Sequence, residues 1–454
     1  MKIPFVRPNS PRLSALTREL VEIEESGVFS NYGPVNSRLE REFESSLFSG
    51  EGHCLTVCNA TIGLIIALKH VARTRPGSRN LAIMPSFTFA ATAHAALWSG
   101  LTPLLCDIDE ESWTPSAAAE ERLLRQYGDE ISVLLPYATF GNCIDLDRYE
   151  WLSRHYGVPV VVDAAASLGS LTDAHHGFGT GFPHPVVFSM HATKAFATGE
   201  AGLIYCAKAE TIAALRTMGN FGFSQPRTAT MPGLNSKLTE TGALLALAKL
   251  REFDLVASYR AEIADLYRAE LPGWTFQRLH GQRHAFQFMP VLLPESWADR
   301  RNEVVAALGE RGIGVGAYFS PHVAEQPYFL ETCIADDLSV TNHIARRMIS
   351  LPISDFITPD EISFVCRTLR EICGDAAALP AAQEPREVSV AIPTQLRDKP
   401  LKTTDATIEP LRNGEMAQAP ARSDLLLRFH AARAALAAAR RRMLPVTPDH
   451  PPPS

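Results

Sequence analysis

The 454-residue chain has little of several features that mark particular classes of protein. Its eight cysteines form no CxxC pair, which argues against a disulfide framework and predicts reduced, mostly buried thiols in the cytoplasm. The apolar runs are far shorter than the roughly 20 residues that a membrane-spanning helix needs. The N-terminal segment MKIPFVRPNS has no apolar region of a secretory signal. Lysine and arginine total 43 against 50 acidic residues, a net charge of −7, so the basic excess of a nucleic-acid-binding surface is missing.

Familiar nucleotide and metal motifs are missing as well. The sequence has no GxxxxGK[ST] and no HExxH, and the glycine runs at 177–181 and 312–316 do not complete a GxGxxG. We interpret both glycine runs as turns. Asp173, His175 and His176 are interpreted as a solvated loop, because no second cluster has the spacing of a metal site. No metal is therefore predicted.

The sequence does contain an alternation of short apolar runs and helical patterns over roughly residues 1–374. The apolar runs include LAIMP, ISVLL, PVVVD, PVVFS and GLIYC, which are typical of buried strands. Strands that alternate with helices predict an α/β fold, in which helices cover both faces of the sheet. In such folds ligands bind at the loops beyond the strand ends, so we expect the chemistry there.

The chain divides into three predicted parts. Residues 1–250 are expected to form a large domain. Residues 251–374 begin with the charged amphipathic helix REFDLVASYRAEIADLYRAEL and are expected to form a smaller α+β domain. Residues 375–454 are proline-rich and are predicted to be a linker or disordered tail with one helix over 423–443. We interpret that helix as a surface helix, and a helix that binds a partner or a membrane surface is the alternative.

Four signals follow the predicted strands. Ala60 and Thr61 open a helix, whose N–H groups and dipole suit a phosphate. Phe89 offers a face for stacking, and Asp163 ends a nearly all-apolar strand, where a buried carboxylate needs a cationic partner. Lys194 follows another buried strand, where a lowered pKa would make its amine a nucleophile. Each signal alone has an ordinary alternative: a plain helix start, a core residue, an N-cap or a solvated lysine. Together they are what pyridoxal phosphate (PLP) requires.

At these residues the sequence resembles the DegT/DnrJ/EryC1/StrS family of sugar aminotransferases, which are PLP-dependent enzymes of fold type I. The resemblance extends from about residue 28 to residue 369. It rests on the ordered blocks SNYGPVNSRLEREFE, CNATIGLIIAL, MPSFTFAATAHAALWSGLTPLLCDID, VVVDAAASLGS, FSMHATKAFATGEAGLI, GLNSKLTETGALLALAKL and YFSPH. The family implies a large domain with a mixed, mostly parallel sheet covered by helices, and a smaller C-terminal α+β domain.

The resemblance also implies roles for individual residues. Lys194 would be the Schiff-base lysine, and Asp163 would pair with the pyridine nitrogen. Phe89 would stack on the cofactor ring. The phosphate would be held by Ala60, Thr61 and Ser189. In a homodimer, Asn235 would reach the phosphate bound in the neighbouring subunit. The sugar substrate would contact Asn31, Tyr32, Tyr318 and His322.

The chain departs from the family pattern at several positions. The family usually reads DAAQ after the strand, with the glutamine on the cofactor's ring oxygen, and here Ala166 takes that place. The family's glycine–threonine pair is Ala60-Thr61, the arginine of GxNxR is Lys237, and the histidine before glycine is Phe221. Without the glutamine, one hydrogen bond near the cofactor, worth about 1 kcal/mol, is missing. This departure concerns the predicted substrate more than the predicted cofactor.

The resemblance implies transfer of an amino group from an amino acid, glutamate by analogy, to a nucleotide-linked keto sugar in aminosugar biosynthesis. Lys194 favours transamination, because a dehydratase branch of the family has histidine there. The alternatives are a PLP-dependent sugar dehydratase, a cyclitol aminotransferase and a non-catalytic regulatory relative. The expected partners are small molecules and a second copy of the chain, with no nucleic acid and no membrane span.

Overall fold

The computed structural model describes residues 2–73 and 76–374. The predicted tail, 375–454, and its predicted helix at 423–443 lie outside the described residues. The α-helices are α1 (Thr17–Ser26), α2 (Pro34–Leu47), α3 (Ala60–Val71), α4 (Ala90–Trp98), α5 (Ala117–Tyr127), α6 (Leu146–Tyr156), α7 (Ala209–Met218), α8 (Glu240–Glu270), α9 (Arg301–Glu310), α10 (Pro327–Thr332), α11 (Ser339–Arg347) and α12 (Pro359–Cys373). The strands are β1 (His53–Val57), β2 (Leu81–Pro85), β3 (Thr102–Cys106), β4 (Ile131–Leu134), β5 (Val162–Asp163), β6 (Val186–Ser189), β7 (Gly202–Cys206), β8 (Phe223–Ser224), β9 (Thr228–Ala229), β10 (Thr275–Phe276), β11 (Met289–Leu292), β12 (Ile334–Ala335) and β13 (Met348–Leu351).

One large mixed sheet carries the fold. Strands β12, β3, β2 and β4 lie side by side in that order and are parallel. Strands β5, β6, β7 and β1 follow, and only β7 runs antiparallel to its neighbours in this group. Parallel bridges from Leu134 to Val160 and from Tyr137 to Asp163 join the two groups. The sheet is therefore mixed and mostly parallel, as the family resemblance implies.

Helices cover the large sheet because its strands are apolar along their length. Strands β2 and β7 are buried at every position. Helix α3 contacts β6 and β7, and α4 contacts β3. Leu64 of α3, Ala93 of α4, Met84 of β2 and Ile204 of β7 belong to one buried apolar cluster. Parallel sheets need this cover, since neither face can be left to water.

A smaller antiparallel sheet, in the order β10-β11-β13, follows the long helix α8. Helix α8 begins at Glu240, eleven residues before the predicted helix, because the Thr239 side chain caps it by accepting the Gly242 N–H (3.0 Å). The predicted boundary at residue 250 lies inside this helix. The division into domains 1–250 and 251–374 stays a prediction.

Other sequence-based expectations concern cysteines, metals and membranes. The eight cysteines are unpaired and five of them are buried, as predicted. Asp173, His175 and His176 are exposed. The described residues contain no group of three His, Cys, Asp or Glu side chains that could hold a metal ion. Among the helices of residues 2–73 and 76–374, none is long and apolar enough to cross a membrane.

Candidate active site

A cavity of about 590 Å³ lies where several strands of the large sheet end. Strands β1, β2, β4, β5 and β6 all deliver lining residues just beyond their carboxyl ends, which is the expected ligand position in such sheets. Seven predicted site residues line it: Ala60, Thr61, Phe89, Asp163, Ser189, Lys194 and Tyr318. The fold thus gathers into one cavity residues that are spread over some 260 positions of the sequence.

The start of helix α3 forms one end of the cavity. Asn59 caps the helix, and its Oδ1 accepts the Ile62 N–H (2.9 Å). Gly202 of β7 lets this helix start approach the sheet closely, because a Cβ there would lie 2.8 Å from the Ala60 nitrogen. The first N–H groups of a helix have no intrahelical partner and carry the positive end of its dipole. The N–H groups of Ala60 and Thr61 therefore form a binding site for an anion.

Asp163 forms the floor of the cavity at the end of β5 and is only 3% exposed. Its Oδ2 accepts a hydrogen bond from Thr92 Oγ1 (2.6 Å), and its Oδ1 accepts one from the Ala165 N–H (3.0 Å). Burial raises the pKa of Asp163 above its usual value, and these two hydrogen bonds and the Lys194 charge only partly oppose the rise. The site therefore favours a cationic ligand group against this carboxylate.

Lys194 lies in the loop between β6 and β7, where its backbone N–H closes a turn onto the His191 carbonyl (2.9 Å). Its Nζ donates a hydrogen bond to Oε1 of Gln287 (2.8 Å). Burial lowers the pKa of Lys194 to about 8, against the opposing charge of Asp163. A measurable share of the amine is neutral near pH 7, as a nucleophile requires.

Aromatic rings surround the rest of the cavity. Phe89 is the N-cap residue of α4, and the residue is 56% exposed, which leaves its ring available for stacking. On another side Phe288 and Tyr318 stack on each other with ring centroids 4.9 Å apart, and Phe5 stacks on Phe288 at 5.1 Å. These rings give a flat ligand apolar contact on its faces, while the polar groups lie at its edges.

Four predicted residues do not line the cavity in the described part of the chain. Asn31 and Asn235 are exposed at the surface, and Tyr32 lies beneath the guanidinium of Arg216, 4.6 Å from its ring centroid. His322 is buried and joins two elements, through its Nδ1 to Ser86 Oγ and its Nε2 to Asn342 Oδ1, both at 2.8 Å. Their predicted contacts with the cofactor and the substrate stay predictions.

Sequence reasoning missed several lining residues. Tyr137 follows β4, His191 and Glu200 flank Lys194 in its loop, and Gln287 precedes β11. His191 and Glu200 stand inside the block FSMHATKAFATGEAGLI, so that block carried the signal. Gln287 stands almost 100 residues further on beside a short strand, and no local pattern marks it.

The residues present fit pyridoxal phosphate. Asp163 is a buried carboxylate with no ion pair among the described residues, which suits a protonated pyridine nitrogen. The close approach at Gly202 gives a phosphate direct access to backbone N–H groups. A lysine amine with a lowered pKa completes the set.

Comparison with known proteins agrees with this geometry. The profile of the DegT/DnrJ/EryC1/StrS aminotransferase family matches residues 14–370. Protein Rv3402c of Mycobacterium tuberculosis is 31% identical over 82% of this chain and 90% of its own length. The dTDP-4-amino-4,6-dideoxy-D-glucose transaminase of Escherichia coli is 28% identical over 77% of this chain and 93% of its own.

A solved structure shows the same fold. It is the crystal structure of a Bacillus cereus ATCC 10987 protein provisionally named a PLP-dependent aminotransferase. That protein is 36% identical, with a TM-score of 0.77, and the match covers 81% of this chain and all of the other. The predicted class, an α/β fold of the type I PLP-dependent transferases, is confirmed.

Proposed function

Because the chain belongs to the DegT/DnrJ/EryC1/StrS aminotransferase family and is a PLP-dependent aminotransferase, we propose that it aminates a nucleotide-linked keto sugar, with glutamate as the amino donor. The observation that carries the proposal is one cavity in which the Lys194 amine, the Asp163 carboxylate and the start of α3 meet. The name of the Escherichia coli relative, a transaminase of a dTDP-linked sugar, supports the substrate class.

Each residue has a part in this proposal. Bound pyridoxal phosphate supplies an electron-accepting ring that makes the α-proton of an amino acid acidic. Asp163 holds the pyridine nitrogen protonated, and Phe89 keeps the ring in place by stacking. Ala60, Thr61 and Ser189 bind the phosphate. The Lys194 Nζ would act as the base that removes the α-proton of the amino donor, and in the second half of the reaction it would deliver a proton to the carbon of the keto sugar that receives the amino group.

One of the remaining contacts, that of Asn235, is proposed to need a second copy of the chain. Asn235 is exposed, and in a homodimer it would reach the phosphate in the neighbouring site. Asn31 and Tyr32, with Tyr318 and His322, are proposed to contact or position the sugar. We also propose a cytoplasmic location, which eight unpaired cysteines support.

Lys194→Ala is the direct test of this function. Without the amine, the α-proton has no base, so amino transfer from glutamate should fall by about 10³-fold or more. The visible absorption band of lysine-bound pyridoxal phosphate should also be absent. The control is Lys69→Ala on the exposed face of α3, which should keep both the band and the activity. Turnover retained in Lys194→Ala would overturn the assignment.

The substrate is tested by incubating the enzyme with a panel of amino donors and keto compounds. Transfer of nitrogen from glutamate to nucleotide-linked keto sugars is the expected result. Water loss without nitrogen transfer would identify a dehydratase instead. Transfer to a cyclitol ketone but to no nucleotide-linked sugar would replace the proposed substrate class and leave the aminotransferase chemistry intact.

A further inference from the structure

Among the described residues, Gln287 is the one whose side chain forms a hydrogen bond with the Lys194 amine. Its Oε1 accepts from Lys194 Nζ at 2.8 Å, and the glutamine is only 6% exposed. The second carboxamide that lines the cavity belongs to Asn59, whose oxygen already caps α3. The position where the resembled family has glutamine, 166, is alanine here.

The backbone just before Gln287 is held by side chains from two distant parts of the sequence. Arg260 of α8 donates to the carbonyl oxygen of Phe286 (2.9 Å), and the Ala285 N–H donates to Ser170 Oγ (3.2 Å). Phe286 has φ +47°, in the left-handed region that a bulky residue rarely adopts. Strain of this kind persists only where the surroundings enforce it, and it is concentrated at functional sites.

We propose that Gln287 is a positioning residue that orients the Lys194 amine in the cavity through this hydrogen bond. The inference rests on the proposed role of Lys194 in amino transfer. A carboxamide is suited to the task because it is neutral. It fixes the direction of the amine without the Coulomb attraction by which a carboxylate would keep the amine protonated.

The other ionisable groups around the amine explain why a neutral partner matters. They are Asp163 on β5, Tyr137 after β4, His191 and Glu200 in the lysine's own loop, and Tyr318 on the opposite wall. The pKa of Lys194 is lowered by burial and raised by Asp163. A second carboxylate in direct contact would oppose the effect of burial and leave less neutral amine near pH 7.

The test uses the apoprotein, so that it does not depend on turnover. The pH dependence of Lys194 modification by a small amine-reactive reagent, followed by mass spectrometry, gives the pH midpoint of this amine. The near-isosteric Gln287→Glu should raise the midpoint by about one unit or more. Gln287→Leu removes the acceptor that favours the charged amine, so it should lower the midpoint. Gln277→Leu is the matched control, because Gln277 is about as buried and its side-chain N–H groups donate to the Ser112 and Thr139 carbonyls, away from the amine.

A second measurement is the rate at which apoprotein captures added pyridoxal phosphate at pH 7. A midpoint one unit higher leaves about tenfold less neutral amine, so capture by Gln287→Glu should slow about tenfold. Unchanged midpoints in both variants, or an equal shift in Gln277→Leu, would overturn the inference. Such a result would leave the proposed function intact, since that function fails only if wild-type protein transfers no amino group or Lys194→Ala still does.

Discussion

At the scale of single residues, the site depends on a few buried polar groups whose partners are specific. Asp163 is held by Thr92 Oγ1 and the Ala165 N–H, and burial still raises its pKa. A bound cation would therefore gain more from this carboxylate than from one in water. The hydroxyl of Thr92 matters because it favours the ionised form of Asp163.

Thr92→Val removes that hydroxyl with almost no change of shape. The loss should raise the pKa of Asp163 further and weaken pyridoxal phosphate binding about tenfold, equivalent to ~1.4 kcal/mol. An absorption titration measures the dissociation constant. The control is Thr341→Val, because Thr341 is equally buried and donates to the buried Asp107 (2.7 Å) away from the cavity. If both variants lost affinity equally, Thr92 would have no special part in binding.

At the scale of elements, the junction between α3 and β7 decides whether the phosphate site exists. Gly63 of α3 and Gly202 of β7 lie on the two sides of this junction. A Cβ on Gly63 would lie 3.0 Å from Val187 Cγ1 on the adjacent strand β6 and 3.5 Å from Ile204 Cγ1 on β7, and one on Gly202 would lie 2.8 Å from the Ala60 nitrogen. The two missing side chains let the helix start reach the cavity, so the anion site is a product of close packing.

Gly202→Ala tests the junction. The added methyl group should displace the start of α3, weaken pyridoxal phosphate binding at least tenfold and lower the free energy of unfolding by about 1–3 kcal/mol. Absorption titration and urea unfolding measure the two effects. Gly309→Ala is the matched control, since no atom lies within 4 Å of its added Cβ. It should keep cofactor affinity and gain about 1 kcal/mol from helix propensity. Full affinity in Gly202→Ala would contradict the packing argument.

At the scale of the whole described molecule, one buried ion cluster connects distant parts of the chain. Asp355, after β13, accepts from Arg260 Nε (2.6 Å) and Asn9 Nδ2 (2.7 Å), and Lys249 Nζ lies 3.5 Å away. Burial alone would raise the pKa of Asp355, but Arg260, Lys249 and Asn9 together bring it below its usual value. Through Arg260 the cluster also holds the Phe286 carbonyl beside Gln287.

Asp355→Asn should lower the free energy of unfolding by about 3–5 kcal/mol, because it leaves Arg260 buried without its counter-charge and leaves the buried Lys249 with the partly exposed Glu252 (3.1 Å). Urea unfolding at several pH values measures the loss. Since the folded protein lowers the pKa of Asp355, the wild-type advantage should be full above about pH 5. It should disappear as the pH falls through the lowered pKa, when the wild-type carboxyl takes up its proton.

The control for the ion cluster is Asp254→Asn. Asp254 pairs with Arg283, but its side chain is 83% exposed. Asp254→Asn should lower the free energy of unfolding by no more than about 1 kcal/mol at every pH. If Asp355→Asn and Asp254→Asn lowered the free energy of unfolding equally, burial would not make the Asp355 cluster more stabilising than an exposed ion pair.

Local sequence patterns are enough to predict the strands of the large sheet and to mark Lys194, Asp163 and the start of α3 as site candidates. Strand and helix patterns are local, and Lys194, Asp163 and Ala60-Thr61 each follow an apolar run. The family blocks contain these residues in order, so the amino-acid sequence is enough to predict the fold class, the cofactor and the aminotransferase chemistry. The start of α8 was missed because Thr239 caps it ahead of the charged pattern that marked the helix.

Which distant residues share the cavity depends instead on how the chain packs in three dimensions. Gln287 contacts Lys194 across 93 positions of sequence, and Tyr137 faces the same space from the end of β4. His322, whose predicted contact with the substrate stays a prediction, is buried and bonds Ser86 and Asn342. No local pattern encodes such contacts. They depend on the order of the strands in the sheet and on how closely Gly63 and Gly202 let α3 approach the sheet.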